Sequence, residues 1–364
     1  MGRALISDFE ILSPIGSSIS EFSSALFSGS SGIANLEGLY GQDFPVQAAG
    51  LIKGLGDEVQ PNLVAQNLLR NLLSKHSRAP IDGLVFFIPE EGPRTNASTK
   101  SELLRKTIFE CTRFELPAVQ ALGIHEACVS GLTGLALAAQ RLRKGIWRRA
   151  LVVGVDLRCS MTELLRFHAL GALSRQQASR ASCPFSLERD GFVRSQGAAA
   201  FLLEAESPEP WGEISGWGQT CDAWRLTEGR ADGHGAIGAL ERALRVSGLK
   251  PSDIDCFSAH ATSTQVGDVL EARAIKQIWG EARLPVTALK SQLGHSGQAS
   301  GLLQVAAAML MKKEECLAPT INFRTPDPRC DLDCVPNVAR PARVKNVICN
   351  ATAFGGQNAS LVIT

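Results

Sequence analysis

The chain has 364 residues, 45% of them hydrophobic, enough for one large core or two domains of ordinary size. Its 37 Lys and Arg nearly balance 36 Asp and Glu, which argues against a global field drawing it to nucleic acid or a membrane surface. No apolar run reaches spanning length and the opening MGRALISDFE lacks a signal-peptide core, so the ten cysteines are expected to be reduced thiols in a soluble, cytoplasmic protein.

In chain order, RALIS (3–7) predicts a strand, LVAQNLLRNLLSK (63–75) a helix and GLVFFI (83–88) a second strand. GLTGLALAAQRLRKG (131–145) predicts a helix, followed by strands at RALVVGVD (149–156) and AAAFLLE (198–204). EAESPEPWGEISG (204–216), with two prolines and two glycines, is the best candidate boundary between halves. Beyond it come a helix at 235–248, a strand at IDCFSAHAT (254–262) and a helix at DVLEARAIKQIWG (268–280). LPVTALK (284–290), GLLQVAAAMLMKK (301–313) and NVICNATAF (346–354) then predict strand, helix and strand. This alternation indicates an α/β protein with sheets covered on both faces. The helices rich in Ala, Gly and Leu lack a polar face and should lie between layers. No short-period repeat or low-complexity tract is evident.

Cys128 stands at the mouth of one such helix, where free N–H groups and the positive dipole end favour a thiolate. Position alone leaves a packed core cysteine and a nucleophile both open. Two of the six histidines have matching contexts. His260 in SAHATST and His295 in LKSQLGHSGQASG each follow a strand and precede a helix, and Lys290 lies five residues before His295. There is no C-x-x-C pair and no histidine close to Cys330 and Cys334, so no structural zinc site is expected. GLGDEVQ and GSSGIANLEG lack the strand–loop–helix spacing of a nucleotide-binding loop.

Taken together these segments resemble the β-ketoacyl–acyl carrier protein synthases, condensing enzymes of the thiolase superfamily. SAHATSTQVGDVLEARAIKQIWG resembles the family's first histidine motif and KSQLGHSGQASG its lysine-plus-second-histidine motif. NATAFGGQNASLVI is similar to the C-terminal Phe-Gly-Gly-x-Asn turn, CPFSLERDGFVRSQGAAAFLLE to the Arg-Asp-Gly-Phe-Val segment, and RALISDFEILSPIGSS to the opening strand and turn. The resemblance implies a thiolase-like α/β fold of two similar halves in an αβαβα layered arrangement. Residues 1–205 would carry Cys128, and residues 206–364 would carry His260 and His295.

The same resemblance implies acyl transfer to Cys128 followed by decarboxylative condensation with a malonyl unit. His260 and His295 would be catalytic and Lys290 supporting. The backbone N–H groups of Cys128 and Phe354 would form the oxyanion hole. Thr262 and Thr264 would contact phosphopantetheine, although Thr-Ser-Thr in a loop is also ordinary capping chemistry. Phe167 would line the acyl pocket and Phe354 would gate it, where ordinary core packing is the alternative. No cofactor is implied beyond the phosphopantetheine of an acyl carrier protein. That protein is the expected partner, together with a second identical or related synthase-like subunit. The basic run RLRKGIWRR (141–149) is a candidate docking patch, or else a helix end with a solvated turn.

Several positions depart from the family pattern. Asp8 and Glu10 stand where glycines are usual, Ala261 replaces a glycine, and Gln196 and Gln304 replace acids. The stretch from Glu90 to Cys128 is shorter than usual. These departures point to a specialised polyketide- or polyene-type pathway. Two alternatives are a non-catalytic partner subunit like the chain-length factors, which usually lack the nucleophile, and a cysteine hydrolase, which leaves the second histidine and Lys290 unexplained.

Overall fold

The computed structural model describes residues 2–41, 43–56, 59–76, 78–89, 97–280 and 283–364. The first part of the shortened stretch, 90–96, therefore lies outside the described residues.

Ten strands are joined edge to edge: β1 (Leu5–Leu12), β2 (Gly83–Phe87), β3 (Ala121–Gly123), β4 (Arg149–Asp156), β5 (Gly197–Glu204), β6 (Gly212–Cys221), β7 (Cys256–Ser258), β8 (Val286–Thr287), β9 (Val347–Thr352) and β10 (Gln357–Ile363). Their order is β8-β7-β9-β10-β6-β1-β5-β4-β2-β3. β1 and β6 meet through only two residue pairs, Leu5 with Glu213 and Ile6 with Gly212, so the sheet falls into two groups of five. Each group has the same internal order: third, second, fourth, fifth, first. In each the second strand runs parallel to the third and fourth, while the fifth is antiparallel to the fourth and the first.

Among the described residues, eight helices of nine or more residues pack on this frame: α1 (Ile19–Ser28), α2 (Pro61–Ser74), α3 (Ala97–Thr112), α4 (Ser130–Arg143), α5 (Met161–Ala169), α6 (His234–Ser247), α7 (Gly267–Trp279) and α8 (Ser300–Glu314). α4 and α8 form the middle layer. Their core holds Leu132, Leu135, Leu302 and Val305 with Val85, Val152 and Phe201 of one sheet and Val347, Leu361 and Ile363 of the other. Because α8 is buried on all sides from Ser300 to Met311, it has no polar face, as its sequence implies. On the outer face of the first sheet, α2 and α3 contribute Leu68, Leu72, Leu104 and Ile108. α6 and α7 cover the other sheet with Leu240, Leu244, Ala272 and Ile275. The result is the five-layer order helix, sheet, helix, sheet, helix.

Two glycines set the spacing of the middle layer. A Cβ on Gly131 would lie 2.8 Å from Leu302 N and 2.9 Å from Gly301 Cα, and a Cβ on Gly301 would lie 2.8 Å from Leu132 N. The neighbours are backbone and cannot turn away. Gly301→Val is therefore expected to lower stability by about 3 kcal/mol or more. It should also slow every reaction of the site, because α4 and α8 start beside Cys128 and His295. A melting temperature within a degree of the parent would show that the helices can separate freely.

Two of the strands expected from sequence are shorter in the structure, while β1 runs on to Leu12. LPVTALK contributes only Val286–Thr287, and Lys290 instead opens a helical turn to Leu293 that closes at Gly294 with φ +74°. IDCFSAHAT contributes only Cys256–Ser258, after which the chain bends into the site. β3, β6 and β10 lie outside the runs that predict strands: β3 has only three residues, and the starts of β6 and β10 carry the glycine- and proline-rich signals of a boundary and a turn. Asp8 and Glu10, unusual in an opening strand, have partners in the turn after α2. His76 Nε2 lies 3.0 Å from Asp8 Oδ2, and Lys75 pairs with Glu10.

Candidate active site

Cys128 occupies a single 3₁₀ turn, Ala127–Val129, between β3 and α4. Ala127 has φ +48°, a conformation that L-residues adopt only under constraint. The constraint is visible: Ser130 Oγ donates to Ala127 O (2.8 Å) and accepts from Glu126 N–H (2.9 Å). The thiol thus stands on a fixed bend. Sequence suggests a helix end that favours thiolate, but burial pushes the Cys128 thiol up against the opposing pull of Arg194 and Lys290.

His295 Nε2 lies 3.0 Å from Cys128 Sγ, and its Nδ1 lies 2.9 Å from Ser300 Oγ. Its backbone is clamped too: the N–H donates to Val193 O (2.7 Å), and the carbonyl accepts from Ser195 N–H (3.1 Å) and Arg194 Nη1 (2.9 Å). Arg194 is tied in turn to Asp156, which has no exposed surface and lies at the C-terminal end of β4. The Oδ2 atom of Asp156 also accepts from Gln298 N–H (3.1 Å) in the turn before α8. Asp156 and Arg194 therefore tie together the two halves at the level of the nucleophile. Arg194 and Arg158, the latter two residues beyond β4, hold the Asp156 carboxyl below the ordinary range despite burial.

The His260 ring stands perpendicular to that of His295, with centroids 5.4 Å apart. Its loop is held by Glu271 of α7, whose carboxylate accepts from His260 N–H (2.8 Å), Ala261 N–H (2.7 Å) and Asn350 Nδ2 (2.6 Å). Ala261 has φ +30°, so glycine would fit this position with less strain. Lys290 Nζ donates to His260 O at 2.5 Å. Burial lowers the Lys290 pKa to about 8, while burial and then Lys290 hold both imidazoles well below their usual value. Both rings are thus neutral at physiological pH. Gln304, where an acid was expected, donates through Nε2 to Ser258 O (2.6 Å), Ala259 O (3.2 Å) and Asn350 O (3.2 Å). A carboxylate could not donate these bonds. Gln196 is likewise used at both ends: Oε1 accepts from Ile52 N–H (2.9 Å) and Nε2 donates to Leu157 O (3.4 Å).

A cavity of about 650 Å³ opens onto Cys128, His260 and His295 and is also lined by Phe167, Thr262, Thr264 and Phe354. Lys290 stands behind it. Thr262 and Thr264 hydroxyls are 3.2 Å apart, and Thr264 Oγ1 also accepts from Gly267 N–H (3.2 Å) at the start of α7, so capping chemistry is present as well. Phe167 packs edge-on to Phe192 (centroids 5.6 Å) with the Arg194 guanidinium over its face (5.7 Å). Phe354 is 41% exposed in the turn between β9 and β10, beside Gly355 and Gly356 with φ +92° and +83°.

The basic run 141–149 is largely occupied within the fold. Arg149 is buried against Glu204 (2.8 Å), Arg143 donates to Ser215 O (2.8 Å), and Arg141 lies over Trp147. Lys144 and Arg148 are exposed. A docking role for Arg149 is therefore set aside: its guanidinium belongs to the β4–β5 pairing. Sequence reading also passed over Asp156, Arg194, Glu271 and Asn350. A charged residue closing an otherwise apolar strand, as Asp156 closes RALVVGVD, was the available signal.

Among the described residues no helix is long and apolar enough to cross a membrane. Residues 120–209 match the family model "Beta-ketoacyl synthase, N-terminal domain", and residues 211–324 match "Beta-ketoacyl synthase, C-terminal domain". A curated relative from Staphylococcus aureus, 3-oxoacyl-[acyl-carrier-protein] synthase 2, is 36% identical over 245 residues, which cover 65% of this chain and 61% of the relative. The chain thus matches about six tenths of that relative's length. The protein of the same name from Coxiella burnetii is 27% identical across 100% of this chain and 98% of its own. Among solved structures, a β-ketoacyl synthase from Burkholderia phymatum superposes with TM-score 0.85 at 24% identity, covering 100% of this chain and 99% of that one. A complex described as a type II PKS acyl-carrier protein with its ketosynthase bound to the hexaketide gives 0.86 at 24%, with coverage of 100% and 99%. The ishigamide ketosynthase/chain length factor gives 0.85 at 26%, with coverage of 100% and 98%.

Proposed function

The chain belongs to the β-ketoacyl synthase family, and from that footing we propose that it is a β-ketoacyl–acyl carrier protein synthase of the Cys-His-His elongating type. The observation that carries this reading is the meeting of Cys128 with two neutral imidazoles in one cavity, His295 at 3.0 Å from Sγ and His260 perpendicular to it. In the proposed division, residues 1–205 bring the nucleophile and residues 206–364 bring both histidines and Lys290.

In the first half-reaction the Cys128 sulfur attacks the carbonyl of an acyl thioester, its proton leaving on the departing carrier thiol, with the Nε2–H of His295 in reach to stabilise the sulfur. The tetrahedral oxygen would be met by the N–H groups of Cys128 and Phe354. In the second, malonyl thioester loses carbon dioxide, and the electron pair of the broken C–C bond becomes an enolate. Nε2–H donors on His260 and His295 stabilise its oxygen. The Ser300 hydroxyl, donating to Nδ1, can hold His295 in that tautomer. The enolate carbon then attacks the acyl-cysteine, forming the new C–C bond and releasing the Cys128 sulfur. Lys290 fixes the His260 loop and adds positive potential.

The substrates would arrive on the phosphopantetheine of an acyl carrier protein in the cytoplasm, with no further cofactor, and Thr262 and Thr264 would flank the pantetheine arm. The functional unit would be a dimer with an identical or related subunit, in a polyketide- or polyene-type or fatty-acid-like pathway. A chain-length-factor role is not favoured, because the nucleophile and both histidines are in place. Intact-protein mass spectrometry after incubation with a panel of acyl carrier proteins tests the reading: an acyl increment on the chain is expected. Hydrolysis of every donor with no adduct and no condensation would overturn it.

The exposed position of Phe354 supports a gating role. Phe354→Ala is expected to keep its melting temperature within a few degrees, where truncating a core Phe costs about 3–5 kcal/mol. It should release carbon dioxide from malonyl donor without a primed Cys128. A large fall in melting temperature with unchanged uncoupled decarboxylation would make Phe354 a packing residue.

A further inference from the structure

Resting on the reading above, and deepening it, we infer that Arg158 selects an oxygenated acyl chain, one whose carbonyl or carboxylate oxygen accepts a hydrogen bond beside Cys128. Arg158 lines the same cavity as Cys128, Phe167 and His295, and the mechanism makes no use of it. It follows β4 by two residues and is anchored along one edge of its side chain. Its N–H and Nε donate to Asp156 Oδ1 (3.3 and 3.0 Å) and its Nη2 to Asp156 Oδ2 (2.7 Å). Its own carbonyl accepts from Arg194 Nε (3.0 Å). The guanidinium is therefore pre-oriented, and its charge is felt at both Cys128 and His295.

Charge counting says what this fork lacks. One buried carboxylate, Asp156, faces two guanidinium groups, Arg194 and Arg158; Glu163, which also acts on Arg158, is paired with Arg166, so one positive charge is left in excess. Asp156 already has Arg194 and the Gln298 N–H, so Arg158 is not needed to satisfy it. Nη1 of Arg158 makes no hydrogen bond to the described residues. An aliphatic chain filling the cavity would strip water from this donor and return nothing. An oxygen acceptor on the chain would restore the bond, and a carboxylate would also cancel the excess charge. Sites built this way reject the analogue lacking the acceptor far more strongly than they resolve chain length.

The test compares three six-carbon pantetheine thioesters: hexanoyl, 3-oxohexanoyl and 5-carboxypentanoyl. For the parent protein, at least one oxygenated donor is expected to load Cys128 tenfold or more faster than hexanoyl. Which one does so separates a chain carbonyl from a carboxylate. Arg158→Leu and Arg158→Gln should each collapse the preference to within about twofold. A parallel measurement needs no thioester: the ratio of Cys128 alkylation rates by iodoacetate and iodoacetamide, in which thiol reactivity cancels. That ratio should fall severalfold in Arg158→Leu, with melting curves confirming that the variants fold. Equal loading by all three donors, or an alkylation ratio untouched by both substitutions, would overturn the assignment while leaving the synthase reading intact. A ratio that falls while no thioester loads would instead sink the synthase reading and keep the anion-binding fork.

Discussion

Cys128→Ala is expected to abolish the acyl adduct and bring condensation to background, while Cys183→Ala and Cys256→Ala leave both unchanged. All three thiols are pushed up by burial, so reactivity here is a matter of access and company. Cys256 has no exposed surface at all and reaches about 12. Cys183 is 1% exposed and lies against Ser263 Oγ. Cys128 alone of the three opens on the cavity and has an imidazole nitrogen at 3.0 Å. Its substitution removes one sulfur from the cavity wall and no contact of the apolar core, so the fold should persist. An adduct of full mass in Cys128→Ala, located elsewhere by peptide mapping, would remove the nucleophile from the mechanism.

The second large effect concerns the histidine pair. His260→Ala and His295→Ala should each lower decarboxylation of the malonyl donor on the order of 10²–10³-fold, the loss typical of one oxyanion donor. The two should differ in the first half-reaction: His295 touches Cys128 and His260 does not, so only His295→Ala should also slow acylation. The pH profile checks the assumed charge state. Burial and Lys290 keep both imidazoles neutral until well below pH 6.5, so condensation should show no histidine inflection between pH 6 and 7. An inflection near 6.5 that vanishes in His260→Ala would mean that His260 acts as an imidazolium, and the neutral-donor scheme would fall.

The layers were legible because period and length spoke together. α4 and α8 are long and apolar all round, and only a middle layer buries a helix on all sides. The lengths of the shortest strands were not: β3, with three residues, gave no alternation to register, and β7 and β8 occupy only part of the runs read as strands. In the site, residues with scarce chemistry stood out in sequence, as Cys128, His260 and His295 did. The groups that hold them did not, because Asp156, Arg194 and Glu271 are of common types and act through contacts separated by 10 to 142 residues. The departures became intelligible only in three dimensions. Gln304 looks like the loss of a charge until its three carbonyl partners are seen.

The identical strand order in the two groups of five also gives the site a symmetric frame. α4 and α8 occupy the same place in their respective groups, between third and fourth strands, each preceded by a 3₁₀ turn. Superposing those places aligns HEACVSGL (125–132) with HSGQASGL (295–302). His-x-x-x-x-Ser-Gly-Leu occurs at both turns. The two groups of five thus repeat one arrangement, with Gly131 and Gly301 facing each other between them. The two turns occupy equivalent places and carry different chemistry: in one, Cys128 faces the cavity with exposed His125 at its rim, while in the other His295 stands over the thiol and Gln298 takes the place of Cys128. The asymmetry of the chemistry is laid over a symmetric frame.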